Sequence, residues 1–309
     1  MTMEGLFDFL REEGVEPRLL EGVKAFREAH PVADEYKNRI PVPEYFYYGN
    51  ETWELALAAL LAGKNLLLAG PKATGKNVLA ENLAALFGCP TWDVSFHVNA
   101  DAASIIGTDT YNGNEVVFRP GPVWMCAKVG GFGILDEINM AKNEALAVLH
   151  AALDFRRSID VPGYDRIELQ DGTRFIATMN YGYAGTRELN EALTSRFAVL
   201  NMPLIKDEDL VKLIARRYPD IDMKICGQLA KLYKELEKKA ESAEISDSAL
   251  DLRGLLDAIA LMDQGILSGA ALEMCIVNKT FDDYERKLIR DVIAARIPDD
   301  LTRDAVFGK

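Results

Sequence analysis

The chain has 309 residues, 49% of them hydrophobic, and a formal net charge of −13 at neutral pH. That length and apolar content suit one large or two modest domains with a sizeable core, and an acidic surface repels phosphate backbones, which disfavours general nucleic-acid binding. Cys89, Cys126, Cys226 and Cys275 stand far apart with no CxxC pair, and His30, His97 and His150 are isolated, a pattern that argues against a disulfide framework or zinc site and fits a reduced, cytoplasmic protein.

Residues 1–45 read as a helical N-terminal extension. Leu6, Phe7, Phe9, Leu10 and then Leu19, Leu20, Val23, Phe26 recur at helical spacing, with breaks at Pro17 and Pro31. Asp8, Arg11, Glu12 and Glu13 interrupt the first stretch, so neither a signal peptide nor a membrane span is expected there. Pro41-Val42-Pro43 predicts an extended connector. Tyr45-Phe46-Tyr47-Tyr48 follows, just ahead of a helix expected over 51–62. Four clustered aromatics serve as core packing or, leading as they do toward the phosphate loop described next, as an adenine wall formed by Tyr47 and Tyr48.

An α/β series is expected from 46 to 205. Strands are predicted near 65–70, 92–97, 132–136, 174–179 and 198–202, with helices near 77–87, 142–155 and 187–195. The strands are apolar runs without alternation, as in a parallel sheet covered on both faces. Two insertions interrupt the series. One, 98–123, holds a short helix over 102–106 and a hairpin turning at Asn112-Gly113. The other, 157–173, reads as a hairpin around Pro162-Gly163. The apolar Ile105, Ile106, Tyr111 and Phe118 of the first insert, with few basic residues around them, suit contact with protein. After Pro203 only helical spacing remains, so residues 206–309 are expected to form an all-helical lid domain.

The chemistry gathers at strand ends. Leu66-Leu67-Leu68-Ala69-Gly70-Pro71-Lys72-Ala73-Thr74-Gly75-Lys76-Asn77 is a buried strand, a glycine-bounded loop and a helix start. Gly70 and Gly75 are expected to supply unusual backbone angles, and N–H groups from Gly70 through Val78 then converge on one phosphate cluster. Lys76 reaches the β- and γ-phosphates as a point charge. The pattern G-x-x-x-x-G-K-[ST] places a hydroxyl on Mg²⁺ at its last position. Here that residue is Asn77, whose carbonyl is still a hard oxygen. Asp136 and Glu137 end a second apolar strand, suited to a Mg²⁺ ligand and a general base for water. Asn180 ends a third, facing the γ-phosphate or the water, and Arg196 precedes a fourth, suited to a neighbour's phosphate. Arg253 lies on a helix of the second domain, a candidate to reach back to the γ-phosphate.

Taken in order, Gly70-Pro71…Gly75-Lys76, Val116-Val117-Phe118-Arg119-Pro120-Gly121-Pro122, Ile134-Leu135-Asp136-Glu137-Ile138-Asn139, Ala177-Thr178-Met179-Asn180 and Gly185-Thr186-Arg187-Glu188-Leu189-Asn190-Glu191-Ala192-Leu193-Thr194-Ser195-Arg196-Phe197 resemble the AAA+ ATPases, in particular the MoxR group and its CbbQ/NorQ branch. The resemblance covers about residues 47–300. It implies an α/β P-loop NTPase core with a parallel five-stranded sheet, helix-2 and pre-sensor-1 hairpin inserts and a C-terminal all-α lid. It further implies ATP and Mg²⁺ as ligands, with Walker A at Gly70–Asn77 and Walker B at Ile134–Glu137. Asn180 matches sensor 1, Arg196 the arginine finger and Arg253 sensor 2. Members form homo-oligomeric rings, commonly hexamers, and act with a partner carrying a von Willebrand factor A domain to remodel a target protein. The alternatives are an ATP-binding scaffold with weak hydrolysis because of Asn77, and a nucleic-acid motor, which the acidic charge disfavours.

Overall fold

The computed structural model describes residues 3–113, 115–161, 163–181, 188–246 and 250–308. They form two compact units, 1–203 and 204–309. Among them no helix is long and apolar enough to cross a membrane.

The first unit is built on a parallel five-stranded sheet. Its strands are β1 (Asn65–Gly70), β2 (Thr91–Ser95), β5 (Phe132–Asp136), β8 (Arg174–Asn180) and β9 (Phe197–Asn201), in the spatial order β2-β5-β8-β1-β9. Every residue of β1 is buried, and so is all of β8 except Met179. Burial on both faces is why these strands are continuous apolar runs. The strand carrying Asn180 is thus inserted between the phosphate-loop strand and the carboxylate strand. The register aligns Gly70 with Asn180 and Leu135 with Ala177.

Helices cover both faces. Those before the sheet are α1 (Met3–Glu12), α2 (Pro17–Ala29) and α3 (Asn50–Leu61). Inside it follow α4 (Lys76–Phe87), α5 (Ala102–Ile106), α6 (Pro122–Val129), α7 (Asn143–Leu146), α8 (His150–Leu153) and α9 (Glu191–Thr194). The N-terminal helices belong to the same compact unit as the sheet. Phe26 of α2 packs on Phe87 of α4 with ring centroids 5.0 Å apart, and Phe87 on Phe132 of β5 at 5.3 Å. Phe9 of α1 meets Phe46 at 4.9 Å and Tyr48 at 5.0 Å.

Three elements differ from expectation. The helix expected over 142–155 is α7, a 3₁₀ turn at Ala147–Leu149, and α8. Leu146 and Leu149 have ψ near −15° and −17°, which tightens the i→i−4 ladder to i→i−3 without leaving the helical path. The helix expected over 187–195 starts at Glu191, where the Asn190 side chain caps the Ala192 N–H at 2.8 Å; Gly185, Thr186 and Arg187 lie outside the described residues. Helix α6 was not expected at all.

The two inserts are β3 (Gly107–Asn112) with β4 (Glu115–Pro120), and β6 (Ser158–Ile159) with β7 (Ile167–Glu168), both antiparallel. Pro162, expected in the second turn, lies outside the described residues. Tyr164 ties the inserts together: its ring sits 4.9 Å from Phe118 and its hydroxyl donates to Asp109 Oδ1 at 2.6 Å. The apolar residues of the first insert divide differently than expected. Ile105 and Ile106 are buried against the sheet domain's core, while Tyr111, Val116 and Val117 are exposed. Helix α5 exposes residues 102–104 and turns Ile105 and Ile106 inward, so its isoleucines serve packing.

The second unit holds α10 (Asp207–Arg217), α11 (Met223–Glu241), α12 (Leu252–Asp263), α13 (Ser268–Cys275), α14 (Asp283–Ala294) and α15 (Arg303–Phe307). Asp222, Asp251 and Asp282 cap α11, α12 and α14 with their carboxylates.

Candidate nucleotide site

The loop between β1 and α4 closes on itself through backbone geometry. Gly75 has φ +77° and its Cα faces the ring of Tyr47, which a Cβ would approach at 3.1 Å. Gly70 does not use the left-handed region. Its constraint is space: a Cβ there would lie 3.1 Å from both Met202 Cβ and Met202 O. The second left-handed residue of the loop is Ala73, at φ +62°. Thus the expectation that both glycines supply unusual angles holds at Gly75 only.

Lys76 opens α4 and is buried. Its ammonium donates to Gly70 O at 3.0 Å, Pro71 O at 2.6 Å and Thr74 Oγ1 at 3.3 Å. Burial pushes its pKa down to about 8, against the opposing pull of Asp136 and Glu137. Pro71 and Lys72 are exposed at the loop crest, and Asn77 and Val78 follow in the first turn of α4, Asn77 exposed.

Asp136 and Glu137 stand at the carboxyl end of β5, two strands from Gly70. Thr178 Oγ1 donates to Asp136 Oδ1 at 2.6 Å and accepts the Glu137 N–H at 3.0 Å. Glu137 takes φ +53°, and Asn180 Nδ2 donates to its Oε1 at 3.0 Å. The Asn180 carbonyl accepts from Asn139 Nδ2 at 2.8 Å. Lys76, Asp136, Glu137 and Asn180 therefore meet at the carboxyl edge of three adjacent strands, where open parallel sheets bind ligands.

The aromatic segment divides. Tyr47 lies against Gly75, whereas Tyr48 turns to Phe9 and the helical core. The segment is pinned by Asn82 of α4, which accepts the Tyr47 N–H at 3.0 Å and donates to Tyr45 O at 2.8 Å; Trp53 Nε1 donates to Tyr47 O at 2.8 Å. The Tyr47 backbone is thus occupied by the protein's own side chains, leaving its ring to face the loop.

Arg196 is elsewhere. It precedes β9, whose Phe197 pairs with Asn65 at the amino end of β1. Gly70 is five residues further along, about 17 Å at a strand's rise per residue. Arg196 donates to the His150 and Ala192 carbonyls and lies 3.5 Å from Asp154 Oδ2. A bidentate hydrogen bond from Arg156 holds the Asp154 carboxyl at a pKa of about 2. Arg253 is in the first turn of α12, in the second unit.

Among the described residues no group of three or more His, Cys, Asp or Glu is gathered for a metal. One carboxylate and one amide oxygen beside an anion-binding loop is instead the donor set of Mg²⁺, which keeps several waters and takes the rest of its ligands from phosphate. Asp136 and Asn77 fit that ion.

Sequence reasoning missed Thr178 and Asn82. Both are buried polar residues with apolar neighbours, Ala177 and Met179 for Thr178 and Leu83 after Asn82, and no such local pattern marks a polar side chain as buried.

Residues 65–197 match the family described as AAA domain (dynein-related subfamily). The uncharacterized protein YojN of Bacillus subtilis is 34% identical over 85% of this chain and 88% of its own length. The uncharacterized protein SH1500 of Staphylococcus haemolyticus is also 34% identical, over 81% of this chain and 97% of its own. A solved RuvB mutant of Thermotoga maritima superposes with a TM-score of 0.46 at 18% identity, covering 80% of this chain and 76% of the other.

Proposed function

We propose that this chain, which belongs to the family of the Bacillus subtilis protein YojN and carries an AAA domain of the dynein-related subfamily, hydrolyses ATP in the cytoplasm as a MoxR-type ring that remodels a partner protein. The observation that carries the reading is the convergence of Lys76, Asp136, Glu137 and Asn180 at one sheet edge.

Each residue has a task set by its position. The N–H groups from Gly70 to Val78, Pro71 excepted, and the positive end of α4 cradle the phosphates. Lys76 exchanges its three loop oxygens for phosphate oxygens. The Tyr47 ring borders the base. Asp136, with Asn77, would hold Mg²⁺, which when bound neutralises phosphate charge as it develops. The Glu137 carboxylate accepts the proton of the attacking water. Asn180, already donating to Glu137 Oε1, orients that carboxylate and the water.

The ring is inferred from Arg196. An arginine about 17 Å from its own phosphate loop along β1 suits a neighbour's nucleotide, and head-to-tail contacts close into rings when the rotation permits, here a hexamer by resemblance. The exposed Tyr111, Val116 and Val117 of the first hairpin suit a protein substrate, and the resemblance supplies a von Willebrand factor A domain protein as partner.

Steady-state ATPase of wild type beside Glu137→Gln tests the reading. Loss of about 10²-fold or more with nucleotide binding retained is expected for a missing general base. Equal rates would leave the second reading, an ATP-binding assembly protein with little turnover, which Asn77 in place of a hydroxyl favours. With Glu137→Gln holding nucleotide, the assembled ring and its bound partner should be recoverable together.

A further inference from the structure

We propose that Thr178 is a positioning residue for both acids of the site: its single hydroxyl sets Asp136 for the divalent cation and fixes the turn that presents Glu137. The inference rests on the reading of Asp136 and Glu137 given above.

The register explains why a side chain is needed. β5 and β8 pair from Phe132–Arg174 to Leu135–Ala177 and then stop, while β8 continues beside β1 as far as Asn180–Gly70. The next rung would set Asp136 opposite Thr178. Instead the β5 chain turns away, with Glu137 at φ +53°, a region unfavourable for a residue bearing a Cβ. A backbone N–H that leaves a ladder inside a protein needs another acceptor. Thr178 Oγ1 is that acceptor for Glu137, at 3.0 Å.

The same oxygen carries a proton, and it points that proton at Asp136 Oδ1 at 2.6 Å. Short hydrogen bonds to an ionised oxygen are among the stronger ones. This one stops the carboxylate from swinging about its terminal torsion. Thr178 is 1% exposed, so no water competes for either bond. Two residues on, and hence on the same face of β8, Asn180 holds the other end of Glu137 at 3.0 Å. Glu137 is thereby clamped at its amide by Thr178 and at its carboxylate by Asn180.

A buried β-branched residue in a strand also has a purely packing use, so the variants must separate shape from hydroxyl. Thr178→Val keeps the shape and removes the hydroxyl; Thr178→Ser keeps the hydroxyl and removes a methyl. The readout is the Mg²⁺ concentration that half-maximally tightens ATP binding, together with ATP affinity in EDTA. Thr178→Val should raise the Mg²⁺ midpoint about tenfold, as loss of an outer partner to a metal ligand does, with affinity in EDTA unchanged. Thr178→Ser should restore the wild-type midpoint. If Thr178→Val folds poorly, Thr178→Ala, which overfills nothing, should show the same shift. A wild-type midpoint in the hydroxyl-less variants, or a serine variant as impaired as valine, would overturn the proposal. So would ATP binding by wild type that gains nothing from Mg²⁺. Wild type that binds Mg²⁺ and ATP with the predicted Thr178 shift but does not turn over would instead refute only the hydrolysis reading.

Discussion

Lys76 is the site residue whose charge responds to alkaline pH. Its ammonium is the phosphate-binding form, and burial lowers its pKa from 10.5 to about 8. Below pH 8 the charge is present; above it, the folded protein loses the charge that an unfolded lysine would still carry. Two consequences have opposite signs. Between pH 8 and 10.5 the unfolded chain binds more protons than the folded one, so the contribution of Lys76 to stability rises with pH. Over the same window the ATP site loses its cation, so the ATP dissociation constant should rise by up to about tenfold per pH unit above 8. Titrations of ATP between pH 7 and 9.5 measure it, and a flat profile across that range would show that Lys76 keeps its charge throughout. The lysine was legible in the sequence because a glycine-bounded loop after an apolar strand has few other uses. Thr178 was not, because a threonine inside a buried strand acquires meaning only through its neighbour. That neighbour is β5, more than forty residues away in the chain, and no local pattern states it.

At the scale of elements the same division recurs. The inner strands β1 and β8 could be placed from their apolar runs, since burial on both faces leaves no alternation to mislead, whereas the edge strand β2 alternates. The order β2-β5-β8-β1-β9 could not be read from those runs, although it decides that Asn180 lies between the loop and the carboxylates. Helix α6 escaped because Val123-Trp124-Met125-Cys126 is a short apolar run between prolines and glycines, which reads equally well as strand or loop. Both hairpins were visible from their turns, but the contact joining them was not. Tyr164 hydroxyl to Asp109 and Tyr164 ring to Phe118 make two thin inserts into one element. A solvent-exposed hydrogen bond to a carboxylate and a partly exposed ring pair together contribute on the order of 1 kcal/mol. Tyr164→Ala should therefore speed hydrogen exchange of the amides in 107–120 by about fivefold. The melting temperature should scarcely move, because Tyr164 is itself 43% exposed. Unchanged exchange in that hairpin would mean the two inserts move independently.

For the whole molecule the decisive fact is that the sheet has two ends and the site uses one of them. Gly70, Asp136 and Asn180 mark the carboxyl edge, while Arg196 stands at the amino edge. Asn65, opening β1, donates through its side chain to the Leu153 carbonyl at 3.1 Å, which brings Asp154 to that same amino edge. There Asp154 holds Arg156 and approaches Arg196, and Phe155 between them is 92% exposed. On the ring reading proposed above, this edge, with Arg196 and the exposed Phe155 ring, is where another copy would dock. Two inactive proteins should then repair one another. Arg196→Ala subunits keep a complete site and lack the arginine; Glu137→Gln subunits keep the arginine and lack the base. Mixed one to one at random in a closed ring, about one interface in four pairs an intact site with an intact arginine. The mixture should recover up to about a quarter of wild-type ATPase where each variant alone has almost none. Subunit exchange must be allowed before the assay, and size measurement confirms that both variants still assemble. If the mixture is no more active than the mean of its parts although mixed rings form, Arg196 does not act across an interface, and the ring would have to be explained without it.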